Sequence, residues 1–154
     1  MRRVVPLALA ALLLTGGACA KSKGGSGAGA KVSICDAFAL YDNLAQPSPE
    51  DTAAVRRYAQ TVVRIYGRVD PHKKVNGAEP PALILADARQ MVTSLRRFDD
   101  AYGTATTKQA RLAAESSLVA DQKLSRAINA ITAFTKDNCG KKSNVPIITT
   151  PTTS

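Results

Sequence analysis

The chain has 154 residues, no tryptophan and a formal net charge of +9 at pH 7. Its length suits one domain, and its basic balance at first indicates a nucleic-acid partner. However, 14 of the 21 basic residues and all 12 acidic residues lie between Val32 and Gly140, so this central segment carries a charge of only about +2. A nearly balanced domain is a poor electrostatic match for DNA or RNA, and we expect no nucleic-acid partner.

Residues 1–18 have the pattern of a secretory signal peptide. Arg2 and Arg3 precede an apolar run from Val4 to Leu14, which has the length of a signal-peptide core. This run is shorter than the roughly 20 apolar residues that a membrane-spanning helix needs. We therefore expect residues 1–18 to be removed on export.

Cys19 allows two routes of processing. The stretch GGAC, residues 16–19, resembles a bacterial lipobox, although Gly16 stands where a bulky aliphatic residue is usual. On this route the sulfur of Cys19 carries a diacylglycerol. The alternative is cleavage after Ala20 at an A-x-A site, which would release a secreted protein.

Two segments lack the apolar periodicity of folded elements. Residues 19–31 are rich in Gly, Ser, Ala and Lys and are predicted to form a flexible tether. Residues 141–154 are rich in Ser, Thr and Pro and are predicted to be a disordered tail. A lipid combined with nearby basic residues forms a stable membrane anchor. The alternative is that the lysines of these two segments only keep them soluble. The candidate membrane-contact residues are Lys21, Lys23, Lys31, Lys141 and Lys142.

Residues 32–140 contain four helical patterns and no convincing alternation of a strand. The first helix is predicted to begin at Ser33, which can form a capping box with Asp36, and to end near Pro47. The second follows at once, with Ser48 as its capping residue.

The third pattern follows a loop at residues 70–81, whose tightest turn is predicted at Asn76-Gly77. Its apolar residues are spaced alternately by four and three, which is typical of a helix that packs against near-parallel neighbours. They are Ile84, Ala88, Met91, Leu95, Phe98 and Tyr102. Gly103 is predicted to end this helix in a left-handed conformation.

The fourth helix is predicted to run from a cap at Thr106 to about Asn138. Its apolar seam consists of Ala110, Ala113, Ser117, Ala120, Leu124, Ala127, Ile131 and Phe134. The small residues in the first half predict that neighbouring helices approach most closely between Ala113 and Ala120. The adjacent serines Ser116 and Ser117 favour a kink as an alternative to one continuous helix.

Four successive helices with short connections predict an all-α fold, an antiparallel up-down-up-down four-helix bundle. In this arrangement the first helix starts and the fourth ends at the same pole, which would bring Cys35 and Cys139 within bridging distance. Because Cys19 is either lipidated or removed, these two cysteines are expected to form a disulfide outside the cytoplasm.

Few residues offer catalytic or metal-binding chemistry, and we expect no enzyme activity, no cofactor and no metal site. His72 is the only histidine, and it lacks the H-E-x-x-H spacing of a metal site. Asp99 and Asp100 are adjacent on a helix, where neighbouring side chains point about 100° apart. Three arginines of the third helix form either a solvated face or, with the arginines of the second helix, a basic surface for an acidic partner: Arg89, Arg96 and Arg97.

In outline, the chain resembles small exported helical lipoproteins and secreted proteins of Gram-positive bacteria, a group with no assigned activity. The resemblance rests on the lipobox-like signal and on the cysteine pair that brackets a helical core, and it transfers no catalytic residue. We therefore expect a non-catalytic cell-envelope protein, lipid-anchored on the extracytoplasmic face of the membrane, that offers a helix face to an envelope protein. The alternative is a carrier that holds a small apolar ligand between its helices.

Overall fold

The computed structural model describes residues 29–140, and this part of the chain is helical. Its five helices are α1 (Ile34–Asp42), α2 (Thr52–Tyr66), α3 (Ala82–Thr104), α4 (Lys108–Val119) and α5 (Gln122–Asn138). Between residues 29 and 140 the only β-type pairings are two isolated bridges. The predicted all-α fold is therefore confirmed. The prediction of one continuous fourth helix is wrong, because this segment is divided into α4 and α5.

The longest helix, α3, contacts α2, α4 and α5, while α1 contacts α2 and α5. Among the described residues, α1 has no backbone contact with α3, and α2 has none with α5. The contacts among these four helices therefore run from α1 to α2, α3 and α5 and back to α1.

One apolar core joins α1, α2, α3 and α5. Its buried members are Val32, Ile34, Ala37, Phe38, Ala59, Val62, Ile65, Tyr66, Ala88, Met91, Val92, Leu95, Phe98, Tyr102, Leu124 and Ile131. The predicted seam of α3 is confirmed, since five of its six residues are in this list and Ile84 is partly buried against it. Burying each large apolar side chain stabilises the fold by about 1.5–3 kcal/mol.

The start of α1 has the predicted capping box. The hydroxyl of Ser33 accepts a hydrogen bond from the backbone N–H of Asp36 at 3.1 Å, and the Asp36 carboxylate accepts one from the N–H of Ser33 at 3.4 Å. Just before this cap, the N–H of Val32 donates to the carbonyl of Arg68 at 3.0 Å, and its carbonyl accepts from the N–H of Asp70 at 2.9 Å. The entry to α1 is thus tied to the segment that follows α2.

The turn at Asn76-Gly77 is also confirmed. Asn76 has a φ of 50° and Gly77 a φ of 85°, the left-handed pair that a tight two-residue turn requires. Val75 and Ala78 exchange backbone hydrogen bonds of 2.8 and 3.1 Å across it. The Asn76 amide then donates to the carbonyl of Asn138 at 2.7 Å, which joins this loop to the end of α5.

Several predicted helix boundaries are wrong. α1 ends at Asp42 rather than near Pro47, and the cap of α4 is Thr107 rather than Thr106. The cap of α2 is Asp51 rather than Ser48, and its carboxylate accepts a hydrogen bond from the N–H of Ala54 at 2.9 Å. Gly103 does not end α3, which continues to Thr104. A Cβ at Gly103 would lie 2.7 Å from Cζ of Arg56, so this glycine leaves room for a guanidinium group from α2.

The fourth helical segment differs most from its prediction. It divides at Ala120 and Asp121 rather than at the paired serines, which lie inside α4. None of the α4 residues is buried, and Ala113 is exposed. The predicted seam of this half is wrong, because Ser117 and Ala120 are exposed as well and α4 packs on the core through Ala114 and Leu118 instead. The apolar stripe of α5 is as predicted, with Leu124, Ala127 and Ile131 buried.

Candidate functional site

Cys35 and Cys139 form the predicted disulfide. Their Cα atoms are 5.5 Å apart and their positions are separated by 104 residues in sequence. The bridge links the first turn of α1 to the residue that follows α5. An open cleft beside it is bordered by Lys74 and Asn76, and we call this end of the domain, with the two cysteines, the disulfide pole.

Of the candidate membrane-contact lysines, Lys31 is described and is exposed to solvent. It directly precedes Val32, whose backbone pairs with the segment after α2. Cys19, Lys21, Lys23, Lys141 and Lys142 lie outside the described residues.

The disulfide indicates an oxidising, extracytoplasmic environment, because such bridges are rare in the cytoplasm. None of the helices within residues 29–140 is long and apolar enough to cross a membrane.

A second feature is a groove of about 590 Å³ between α3, α4 and α5, which we call the α4 groove. Its wall residues are Ser94, Phe98 and Ala101 of α3, Ala114 and Leu118 of α4, and Asp121. The break between α4 and α5, at Ala120 and Asp121, borders this groove.

A chain of hydrogen bonds fixes one end of the α4 groove. The Gln90 amide donates to the Ser94 hydroxyl at 3.0 Å, and this hydroxyl donates to Oδ2 of Asp121 at 2.6 Å. Oδ1 of Asp121 accepts from the backbone N–H groups of Lys123 and Leu124 at 2.9 and 3.1 Å. The carboxylate thus caps α5 while it binds α3.

These contacts lower the pKa of Asp121 below its ordinary value. The hydrogen bond from Ser94 is the largest cause, and the two backbone N–H groups and the charge of Arg97 act in the same direction, against a smaller effect of burial. The carboxylate is therefore ionised at neutral pH, and its charge is already balanced by the groups around it.

Three cations line the same groove. They are Arg97, Lys123 and Arg126, and all three are exposed. None of the ion pairs between residues 29 and 140 includes them. The groove therefore has an excess of positive charge beside the cap of α5.

The other polar residues considered from the sequence have structural contacts. Nδ1 of His72 lies 3.1 Å from a carboxylate oxygen of Glu79, and the His72 side chain is 79% exposed. Asp99 accepts hydrogen bonds from Arg56 at 3.0 Å and from Gln60 at 3.0 and 3.2 Å. Residues 29–140 contain no group of three or more His, Cys, Asp or Glu side chains arranged to hold a metal ion.

Arg89 and Arg96 line a separate groove of about 340 Å³ between α2 and α3, beside Val92 and Thr93. Arg97 instead lines the α4 groove. Arg89 and Arg96 therefore share one groove with residues of α2, and Arg97 borders another.

Comparisons of the chain with protein-family models, with curated proteins and with solved structures find no match. Its function is therefore inferred from its own contacts and charges.

Asp121 and Ser94 were not identified as site residues from the sequence. A signal for Asp121 was present, since an aspartate directly before an apolar stripe is a typical helix cap. Ser94 had no such signal, because its role depends on a partner 27 residues away in the chain.

Proposed function

We propose that the chain is a non-catalytic cell-envelope protein, anchored through a diacylglycerol on Cys19 to the extracytoplasmic face of the membrane. The single observation that carries this proposal is the Cys35–Cys139 disulfide. It supports export, and it brings the two ends of the described chain to one pole. The tether that precedes Lys31 and the tail that follows Gly140 would then leave the domain on the same side, facing the membrane.

The surface electrostatics of the disulfide pole agree with this orientation. Lys31, Lys73 and Lys74 are exposed in the segments that form or adjoin this pole. Each basic group near an anionic bilayer contributes about 1 kcal/mol. Lys21, Lys23, Lys141 and Lys142 would add to this attraction.

The same proposal includes the up-down-up-down bundle, with α4 and α5 together as its fourth arm. Ser94, at the middle of α3, binds the start of α5, and Asn76, shortly before α3, binds the end of α5. These two contacts support opposite directions for α3 and α5. The disulfide supports a return of the chain to the pole at which α1 begins.

We propose α4 as the face that meets an envelope protein. α4 packs on the C-terminal half of α3. The loop at the disulfide pole leads into the opposite, N-terminal end of α3. Because α3 has 23 residues, its ends are about 35 Å apart. Leu112 and Val119 of α4 are 50% and 74% exposed, which favours a contact directed away from the membrane.

The α4 groove favours a second candidate function, that of a ligand carrier. Its volume of about 590 Å³ lies in the range of roughly 300–1,000 Å³ that is usual for small-molecule sites. The groove lies at the surface beside the alanine-rich α4 rather than inside the core.

Cell fractionation tests the anchor. We expect the wild-type chain, expressed with its signal peptide in a Gram-positive host, to sediment with the membranes. The Cys19→Ser variant is expected to appear in the culture medium, and the neighbouring Ser22→Ala variant to stay with the membranes. Wild-type and Cys19→Ser chains that both appear in the medium would contradict lipid anchoring.

A further inference from the structure

We propose that the α4 groove binds an amphipathic anion, a small molecule with one acidic head group and an apolar body, such as a medium-chain carboxylate. This inference deepens the carrier function named above and rests on it. It does not depend on the lipid anchor, because every residue that it uses lies within α3, α4 and α5.

The apolar part of the groove would receive the body of the ligand. Phe98 is 6% exposed and belongs to the core, so its ring forms a fixed part of the wall. Leu118 packs against the same core from α4. Ala101 and Ala114 have short side chains, which leave the space between α3 and α4 open.

The polar part of the groove would bind the acidic head group. Arg97, Lys123 and Arg126 line it, and Asp121 is the one carboxylate among its lining residues. Both oxygens of Asp121 are occupied, one by the Ser94 hydroxyl and the other by two backbone N–H groups of α5. Although Arg97 acts on Asp121 through its charge, Lys123 and Arg126 have no acidic partner among the ion pairs of the described residues.

The separation of these two parts determines the ligand class. Cations gather around the start of α5, and apolar side chains lie between α3 and α4. A neutral apolar molecule would leave the cations without a partner, and a cationic amphiphile would be repelled. A hydrogen bond to a charged group contributes about 1.5–3 kcal/mol, so the acidic head group should control the affinity.

The test uses the full chain with Cys19→Ser, which removes lipidation, and titration calorimetry with dodecanoate below its micellar concentration. We expect saturable binding of one dodecanoate per chain and no comparable binding of dodecyltrimethylammonium. The charge reversals Lys123→Glu and Arg126→Glu together should weaken dodecanoate binding at least about tenfold. The control pair Arg64→Glu and Lys136→Glu, at exposed positions outside the groove, makes the same change in net charge and should leave the affinity within about twofold.

A second variant tests the apolar part without changing charge. Ala114→Phe fills the space between α3 and α4 and should also weaken dodecanoate binding, while circular dichroism reports that the helices are retained. Lys123 and Arg126 are exposed, so their reversal is expected to leave the fold intact.

Equal binding of dodecanoate and dodecyltrimethylammonium, equal losses in the groove and control variants, or no dodecanoate binding would each overturn the proposal. An acidic helical peptide that binds the groove where dodecanoate does not would also overturn it, in favour of protein docking. None of these results changes the membrane fractionation, so failure of the ligand proposal is distinguishable from failure of the anchor.

Discussion

The hydroxyl of Ser94 donates a 2.6 Å hydrogen bond to the carboxylate of Asp121, which is also the cap of α5. This contact joins the middle of α3 to the point at which the fourth helical segment divides. Because the same carboxylate binds two backbone N–H groups of α5, the direction of α5 and its position on α3 are fixed by one side chain. Ser94 and Asp121 both line the α4 groove.

Replacing Asp121 should destabilise the domain. An N-cap aspartate replaced by alanine typically costs about 1–2 kcal/mol, and the change also leaves the buried Ser94 hydroxyl without its acceptor. We expect Asp121→Ala to lower the free energy of unfolding, measured in urea at neutral pH, by at least about 1 kcal/mol. Asp121→Asn retains a capping oxygen and should cost less. Equal stability of wild type and Asp121→Ala would contradict the role of this junction.

The contribution of Asp121 should depend on pH. Its pKa is lowered in the folded state, first by the Ser94 hydrogen bond and then by the α5 N–H groups. The unfolded chain therefore binds the proton more readily, and the stabilisation is present above the ordinary carboxyl pKa of about 4. It is lost as the pH falls through the lower folded value. Wild type should thus exceed Asp121→Asn in stability at neutral pH and approach it in acid. A difference that stays constant with pH would exclude the ionised carboxylate as its source.

The disulfide should supply a large share of the stability. It closes a loop with a sequence separation of 104 residues, and removal of such bridges typically costs about 2–4 kcal/mol. We expect Cys35→Ser and Cys139→Ser together to lower the free energy of unfolding by this amount. Cys19→Ser is the matched control and should leave the stability of the domain unchanged. Similar losses in the double variant and in Cys19→Ser would contradict the assignment of the bridge.

Gly103 and Arg56 should be coupled. The guanidinium of Arg56 lies over Gly103 and pairs with Asp99 at 3.0 Å, so a Cβ at position 103 must displace it. In a helix, alanine is favoured over glycine by about 1 kcal/mol. We therefore expect Gly103→Ala to be nearly neutral in the wild-type background, because displacement of Arg56 offsets this gain. In an Arg56→Ala background the same change should stabilise by about 0.5–1 kcal/mol. Equal effects in both backgrounds would show that the two residues do not interact.

Three tyrosines should limit stability in alkali. Burial raises the pKa of Tyr41, Tyr58 and Tyr66, and the rings of Tyr41 and Tyr66 lie 5.8 Å apart, edge to face. The neutral phenols are favoured in the folded state, so this stabilisation is complete below the unfolded pKa of about 10 and is lost as the pH rises above it.

Phenolate absorbance and circular dichroism, followed together, measure this effect. We expect these tyrosines to ionise only as the helical signal disappears, and Tyr41→Phe to make the loss of stability with pH less steep. Ionisation of all tyrosines near their ordinary pKa with the helices intact would contradict the burial of the phenols.

Local signals in the sequence were sufficient for several parts of the fold. The capping box of Ser33 and Asp36 and the turn at Asn76-Gly77 depend on residues within a few positions of one another. The seam of α3 followed from helical periodicity. The pairing of Cys35 with Cys139 followed from the number of helices expected. The capping box, the turn and the seam were each visible in one local pattern, whereas the two cysteines are 104 residues apart.

The division of the fourth segment could not be predicted in the same way. Its residues favour a continuous helix, with alanines throughout and no proline, and the seam appeared unbroken across Ala120 and Leu124. What ends α4 is the capping of α5 by Asp121, supported by Ser94 on another helix. The cations of the α4 groove come from α3 and α5, so they were not recognised as a group.

Gly103 was misassigned for the same reason. A glycine near the end of a helical pattern usually provides a left-handed cap, and the sequence contains no sign that Arg56 of α2 will lie against it. The need for a small residue arises from packing between helices rather than from the backbone of α3.

The most direct test of the central claim is the intact mass of the mature protein, purified from the membranes of a Gram-positive host. A lipid-anchored, disulfide-closed domain predicts a chain that begins at Cys19, carries the added mass of a diacylglycerol, and is lighter by two hydrogens than its reduced form because Cys35 and Cys139 are joined. An unmodified chain that begins at Lys21, or free thiols at both Cys35 and Cys139, would contradict it.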